Sequence, residues 1–124
     1  MKPTPITKIL IIDDDPDVRT VMSHLMKQQG YDVSTASGRE EALAALRQFR
    51  PSVVLLDVLL SGSDGRELCK EIKSSDQWKH ITVIMFSAHP GAAENIESFG
   101  ADDFISKPLN TDILLEKVGR LTNA

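Results

Sequence analysis

Short apolar runs recur along this chain, and each of them ends abruptly at or near a polar residue. They span residues 9–12, 53–56, 82–86 and 104–105. Runs of this length that are rich in β-branched residues are too short for helices and are typical of strands buried on both faces of a parallel sheet. A fifth segment, residues 32–36, is more polar and fits an edge strand. This pattern predicts a fold built on a buried parallel sheet.

Segments with apolar residues at helical spacing lie between these runs. The first apolar stripe consists of Val18, Val21, Met22, Leu25 and Met26, and Gly30 follows it as a stop signal. Four more stripes fall within residues 42–49, 68–72, 92–99 and 114–121. Ser37 and Glu40 predict a capping box before the second helix, and Asn110 predicts the cap of the last one.

Five strands alternating with five helices predict an α/β fold of the (βα)5 type. This is a doubly wound, five-stranded parallel sheet with helices on both faces, and we expect the flavodoxin-like strand order 2-1-3-4-5. The length of 124 residues predicts a single domain over residues 1–124, with a core from about residue 8 to residue 121.

Composition excludes several classes of protein. Fourteen Lys and Arg residues against 18 Asp and Glu residues give a formal net charge of -4, which argues against direct nucleic-acid binding. The sequence has no apolar run long enough to span a membrane and no signal peptide. The single cysteine, Cys69, cannot form an internal disulfide, which favours a reducing compartment. These observations predict a soluble, cytoplasmic protein without a membrane partner.

The residues that follow the strands carry the chemistry. Ligands of parallel α/β sheets bind beyond the carboxyl ends of the strands, where the strand order reverses. The polar residues at those ends are Asp13, Asp14, Asp57, Ser87 and Lys107. The fold therefore predicts that three carboxylates, a hydroxyl and an ammonium group converge at one edge of the sheet.

This set of groups is suited to a phosphoryl group. Three neighbouring carboxylates repel one another unless a cation lies among them, and oxygen ligands alone favour Mg²⁺ over zinc or copper. A carboxylate can also attack phosphorus and form an acyl phosphate. Ser87 and Lys107 supply the hydroxyl donor and the fixed cation that would stabilise the charge of the transferred group.

These residues resemble the response-regulator receiver domain, the phosphoacceptor module of two-component signalling. The resemblance covers residues 8–121. It depends on motifs that occur in order at the strand ends, namely Asp13-Asp14, Asp57, Asp64-Gly65, Ser87-Ala88 and residues 100–108. Ser61 departs from the family pattern, which commonly has proline there, and the segment from Ser87 to Lys107 is slightly short.

The resemblance implies a role for each residue of the site. Asp57 would accept phosphate from the phosphohistidine of a sensor histidine kinase or a histidine phosphotransfer protein. Asp14, Asp57 and the backbone carbonyl of Leu59 would bind Mg²⁺ directly, and Asp13 would bind it through a water molecule. The module would be a regulator that catalyses its own phosphorylation and dephosphorylation rather than an enzyme, and its output partner is left open.

The family also implies a switch. Lys107 would pair with one phosphoryl oxygen and Ser87 would donate a hydrogen bond to another. Ser87 would move toward the phosphate, and the aromatic side chain of Phe104 would turn inward behind it. By the same resemblance, the peptide bond between Lys107 and Pro108 is expected to be cis.

Two other functions fit parts of the pattern. One is a receiver scaffold that binds its partner without phosphorylation. The other is an aspartate-nucleophile phosphohydrolase, which usually carries a second acid two residues after the nucleophile, whereas Leu59 stands there after Asp57. The length leaves open whether the chain is a stand-alone regulator or part of a larger protein. Trp78 is expected at the end of the sheet opposite Asp57.

Overall fold

The computed structural model describes residues 7–60, 63–87, 96–106 and 110–122. Its strands are β1 (Lys8–Ile12), β2 (Asp32–Ala36), β3 (Val53–Asp57), β4 (Leu59–Leu60), β5 (Ser63–Asp64), β6 (Thr82–Ser87) and β7 (Asp103–Ser106). Its α-helices are α1 (Pro16–Gln28), α2 (Arg39–Gln48), α3 (Gly65–Ser74) and α4 (Thr111–Thr122). None of the helices in these ranges is long and apolar enough to cross a membrane.

Five of the strands form one parallel sheet. Their order is β2-β1-β3-β6-β7, while β4 and β5 pair separately as a short antiparallel ribbon. Counted within the sheet alone, this is the predicted order 2-1-3-4-5, so the expected fold is confirmed. The order reverses between β1 and β3, and the carboxyl ends of these neighbouring strands lie side by side.

The sheet is buried on both faces. Alternate residues of a strand point to opposite faces, and the central strands are apolar and buried at every position from Ile9 to Ile12 and from Val53 to Leu56. One face packs against α2 and α3 through residues such as Leu46, Leu68 and Ile72. The other face packs against α1 and α4 through Met22, Met26, Leu114 and Val118.

Capping residues fix the ends of the helices. The carboxylate of Asp15 caps α1 by accepting a hydrogen bond from Asp17 N at 2.9 Å. Gly30, with φ of 91°, follows the end of this helix. The predicted cap of the last helix is confirmed, because Asn110 Oδ1 accepts a hydrogen bond from Ile113 N at 3.2 Å.

Two helix predictions need correction. Val21 was predicted to belong to the apolar stripe of α1, but its side chain is 58% exposed, whereas that of the next residue, Met22, is buried. Val21 therefore lies at the margin of the stripe. The predicted pairing of Ser37 with Glu40 is also wrong. Ser37 instead bonds Glu41 through both its backbone N–H and its hydroxyl, since α2 begins at Arg39 after the N-cap Gly38.

The predicted fourth helix is only partly described. Residues 88–95 lie outside the described ranges, and the remaining residues, Ile96–Phe99, form a 3₁₀ helix. Gly100 follows with φ of 86°, a backbone conformation that glycine adopts without steric cost. The chain then enters β7 at the edge of the sheet.

Candidate functional site

The acidic residues predicted from the sequence meet at the carboxyl edge of the sheet. Because Ile12 and Leu56 are register partners in the parallel pair of β1 and β3, the residues that follow them leave the sheet side by side. Asp13, Asp14 and Asp57 each offer a carboxylate oxygen, and these three oxygens lie within 4.8 Å of one another. We call these three residues the acidic cluster.

Two members of the acidic cluster are removed from water. Asp13 is 0% exposed and Asp57 is 5% exposed, whereas Asp14 is exposed. Asp13 Oδ1 accepts a hydrogen bond from Asp15 N at 2.8 Å, and Asp57 Oδ1 accepts one from Leu59 N at 3.2 Å. Buried carboxylates need compensating charge, and a set of oxygen donors this close together fits a hard divalent cation such as Mg²⁺.

Arg19 is a neighbour of the cluster that sequence reasoning missed. Its Nη1 donates a 2.7 Å hydrogen bond to the backbone carbonyl of Asp13. The guanidinium group therefore holds the loop between β1 and α1 in place and brings a positive charge next to the carboxylates. The only sequence signal was an arginine within the first turns of the helix that follows the acidic pair.

Ser87 lies at the same edge of the sheet. It is the last residue of β6 and is 2% exposed. Asp57 pairs with Phe86, so Ser87 stands one residue beyond the register partner of Asp57. The hydroxyl predicted for the site therefore comes from the strand next to β3, on the side opposite β1.

The other predicted residues come from β7 and the segment after it. Ser106 is the register partner of Ser87, but the next two residues, Lys107 and Pro108, lie outside the described ranges. Their predicted phosphoryl contact and cis peptide bond remain predictions. Phe104 is partly buried, pairs with Met85 in register, and packs against the core on the α2 and α3 face.

Gly65 brings the start of α3 against the backbone of Asp57. Gly65 N donates a 2.7 Å hydrogen bond to the carbonyl of Val58. A Cβ atom on Gly65 would lie 2.0 Å from the carbonyl oxygen of Asp57, which no side-chain-bearing residue can tolerate without a backbone shift. This close approach gives a physical reason for glycine at a position that the family motif includes.

Asp64, the other residue of that motif, has a structural role outside the acidic cluster. Its carboxylate caps α3 by accepting a hydrogen bond from Arg66 N at 2.8 Å, and it also binds the guanidinium group of Arg66. These hydrogen bonds hold the pKa of Asp64 below its ordinary value. Arg66 in turn lies over the ring of Phe99, 5.9 Å from its centroid.

The ribbon of β4 and β5 borders the acidic cluster. Leu59 pairs with Asp64, and the side chain of Leu59 is half-exposed. Ser61, the departure from the family pattern, lies outside the described ranges. Taken together, the edge of the sheet presents three clustered carboxylates and a buried hydroxyl, which can bind a hard cation and offer a nucleophilic oxygen to phosphorus.

Comparison with known proteins is consistent with this chemistry. A model of the response regulator receiver domain family matches residues 9–119. The transcriptional regulatory protein AfsQ1 of Streptomyces coelicolor is 37% identical over 106 residues, which cover 86% of this chain and 47% of that protein. The chain therefore spans about half the length of this curated relative.

Solved structures resemble nearly the whole fold. The chemotaxis protein CheY4 of Vibrio cholerae is similar with a TM-score of 0.86 and 30% identity, over 94% of this chain and 98% of that one. The receiver domain of NtrX from Brucella abortus is similar with a TM-score of 0.83 and 36% identity, over 90% of this chain and 95% of that one.

Proposed function

This chain belongs to the response regulator receiver domain family, and from that membership we propose that it is a phosphorylation-dependent switch whose phosphoacceptor is Asp57. Receiver domains are regulatory modules of two-component systems rather than classical enzymes. One observation carries the proposal for this chain, the three carboxylate oxygens of the acidic cluster within 4.8 Å of one another.

Asp57 is the best placed of the three carboxylates to accept the phosphoryl group. It ends the central strand of the sheet, with Asp13 beyond neighbouring β1 on one side and Ser87 at the end of β6 on the other. Asp13 is completely buried, and its Oδ1 accepts a shorter backbone hydrogen bond, 2.8 Å from Asp15 N, than Asp57 Oδ1 accepts from Leu59 N at 3.2 Å. Asp57 therefore combines contact with the other acids and access to a hydroxyl donor.

The donor in this proposal is the phosphohistidine of a sensor histidine kinase or a histidine phosphotransfer protein. A carboxylate oxygen of Asp57 attacks phosphorus, so that an O–P bond forms and the P–N bond of the phosphohistidine breaks. The departing imidazole nitrogen keeps the bonding electron pair and takes up a proton. The product on this chain is an acyl phosphate, which the same site later hydrolyses with water.

The acidic cluster would hold Mg²⁺ through Asp14, Asp57 and the backbone carbonyl of Leu59, with Asp13 acting through water. The fit rests on the donor set, since all the side-chain ligands are carboxylate oxygens, which are hard ligands. When bound, Mg²⁺ neutralises charge on the carboxylates and the phosphoryl oxygens. Arg19 supports the loop of Asp13 through its hydrogen bond to the Asp13 carbonyl.

Phosphorylation would be read out through Ser87 and Phe104. In the proposal, the Ser87 hydroxyl moves to donate a hydrogen bond to one phosphoryl oxygen, and Lys107 pairs with another. Met85, the register partner of Phe104, lies two residues before Ser87 on β6. A shift of Ser87 would therefore occur next to the paired residues Met85 and Phe104. In the proposal, the inward rotation of the Phe104 ring changes the affinity for a partner.

The proposal is tested by labelling with a small acyl phosphate donor and Mg²⁺. We expect the wild-type chain to gain up to one phosphoryl group and Asp57→Asn to gain none. Asp64→Asn is the matched control. Asparagine keeps the helix cap, and the Asp64 carboxylate binds Arg66 and lies outside the acidic cluster, so this variant should be labelled like wild type. Equal labelling of wild type and Asp57→Asn would overturn the assignment. An unlabelled wild type would favour a phosphorylation-independent scaffold.

A further inference from the structure

A cavity of about 420 Å³ lies at the end of the sheet opposite the acidic cluster. Its walls come from the end of α2, the start of β3 and the turn before β6, and include Leu46, Arg50, Pro51, Trp78, His80 and Ile81. Since β3 begins at Val53 and β6 at Thr82, these residues stand at the amino ends of the strands. Trp78 therefore lies where the sequence predicted it. The volume is in the range of protein pockets for small molecules.

Polar side chains around this cavity have donors without a partner in the described part of the chain, but they differ in their exposure to solvent. Trp78 Nε1 is buried and has no acceptor there. The side chains of Arg50 and His80 have no hydrogen bond or ion pair within the same ranges. By contrast, Lys79 between them is paired with Asp76 at 3.2 Å. Arg50 and His80 are exposed, so their donors are open to a ligand in the cavity, whereas Trp78 Nε1 is closed off from this space.

The backbone of Arg50 has an unusual conformation. Arg50 has φ of 53°, and it is the one non-glycine residue with positive φ in the described ranges. The other two residues with positive φ there are glycines, Gly30 and Gly100. A residue with a Cβ atom adopts positive φ at a higher conformational energy than glycine does. Arg50 N donates to the carbonyl of Ala45 at 3.3 Å, so this conformation ends α2, and glycine could replace Arg50 there without strain.

The chemistry of the walls defines the ligand. The described lining residues include no carboxylate, so that the guanidinium group of Arg50 faces a space without a negative charge. Leu46, Pro51 and Ile81 are buried and supply an apolar floor, and the indole of Trp78 adds an aromatic wall. A ligand with a flat apolar body and one anionic end matches this combination.

We propose that this cavity binds a small aromatic carboxylate. The carboxylate would form a two-point ion pair with Arg50, which is the strongest recognition that a guanidinium group offers. The aromatic ring would lie against the indole of Trp78 and the apolar side chain of Leu46. This site shares no residue with the acidic cluster, so it stands independently of the proposed phosphorylation.

The sole tryptophan of the chain is Trp78, so its fluorescence reports directly on the cavity. We expect phenylacetate to change this fluorescence saturably, and Arg50→Gly to weaken its binding by about tenfold or more, because a charge-assisted hydrogen bond is lost. Arg50→Gly should fold well, since glycine suits φ of 53°. The matched control is Arg47→Gln, which removes the same charge from an exposed position of α2 outside the cavity.

Each result decides the proposal. It is supported if phenylacetate binds wild type and Arg47→Gln with equal affinity, binds Arg50→Gly weakly, and is preferred over neutral phenylacetamide. It is overturned if the wild-type fluorescence does not saturate at millimolar phenylacetate, if the amide binds equally well, or if both arginine variants bind like wild type. Equal weakening of both variants would also overturn it, because that result indicates only general charge attraction.

Discussion

Asp13 and Asp57 end neighbouring strands of the sheet and place carboxylate oxygens within 4.8 Å of each other, although β2 and two helices separate them in the sequence. Both side chains are almost entirely buried. Charges of the same sign at this distance repel, and burial weakens the screening by water. The fold therefore contains a local electrostatic cost that a cation, or the loss of one charge, would relieve.

We predict that Mg²⁺ raises the melting temperature of the wild-type chain. A ligand that binds only the folded state stabilises it by about 2.7 kcal/mol at a concentration about 100 times its Kd. Asp13→Asn keeps an oxygen that can accept from Asp15 N, so we expect it to melt higher than wild type in EDTA and to respond less to Mg²⁺. Differential scanning calorimetry measures both effects.

The control for this prediction is Asp76→Asn, which removes an exposed carboxylate far from the cluster. It should respond to Mg²⁺ as wild type does. Superimposable wild-type melting curves in EDTA and in millimolar Mg²⁺ would contradict the metal site. A lower melting temperature of Asp13→Asn in EDTA would contradict the repulsion.

Gly65→Ala should destabilise the fold because its Cβ would lie 2.0 Å from the carbonyl oxygen of Asp57. We expect a loss of about 1–3 kcal/mol in the free energy of unfolding, measured by urea denaturation. Gly119→Ala in α4 is the matched control. Outside its chain neighbours and its own helix backbone, no heavy atom of the described residues lies within 4 Å of its added Cβ, so it should gain roughly 0.5–1 kcal/mol from helix propensity. Equal effects of the two substitutions would refute the close approach.

Lys73 connects α3 to the residues that directly precede β6 and β7. Its Nζ donates to the carbonyl of Ile81 at 2.7 Å and to Asp102 Oδ2 at 3.0 Å, and Asp102 Oδ2 also accepts from Val83 N at 2.8 Å. We expect Lys73→Met to lower the free energy of unfolding by about 1–3 kcal/mol, since a partly buried acceptor network loses its charged donor.

Lys79→Met is the comparison for this effect. The Lys79 side chain is 62% exposed and, among the residues that the structure describes, pairs only with Asp76, so its replacement should change the stability by no more than about 0.5 kcal/mol. A Lys73→Met variant as stable as Lys79→Met in urea would show that the network contributes nothing measurable.

Burial raises the pKa of the Cys69 thiol from its ordinary value of 9.0 to about 11. The unfolded chain therefore loses this proton at lower pH than the folded chain, so that Cys69 contributes stability below pH 9.0 that is lost as the pH rises toward 11. We predict that the difference in unfolding free energy between wild type and Cys69→Ala shrinks across this range. A difference that does not change with pH would contradict the shift.

The strands and their order could be predicted because each central strand is an uninterrupted apolar run with a polar residue directly after it. Asp57 and Ser87 are the last residues of β3 and β6. The sequence alone therefore predicted that the acids and the hydroxyl lie at one edge of the sheet. The parallel topology then leaves little choice in the placement of the strand ends. Local periodicity was enough for this part of the site.

Contacts made by long side chains could not be predicted in this way. Arg19 reaches back to the carbonyl of Asp13, and Arg66 engages Asp64 and Phe99, because each side chain spans a distance that the sequence pattern does not encode. The cap of α2 also differs from the prediction, because its N-cap is Gly38, one residue after the predicted Ser37. Glu40 and Glu41 are the same residue type, so the sequence does not show which of them binds Ser37. The backbone turn at Gly38 places Glu41 there.

Mapping the phosphorylated residue tests the role of the acidic cluster most directly. The chain is incubated with a small acyl phosphate donor and Mg²⁺ and reduced with borohydride, which converts an aspartyl phosphate to homoserine, and the modified peptide is identified by mass spectrometry. We predict homoserine in place of Asp57 alone, and none when EDTA replaces Mg²⁺. Modification of Asp13 or Asp14 instead, or an equal yield at Asp57 in EDTA, would contradict the convergence of these residues around a metal-dependent phosphoacceptor.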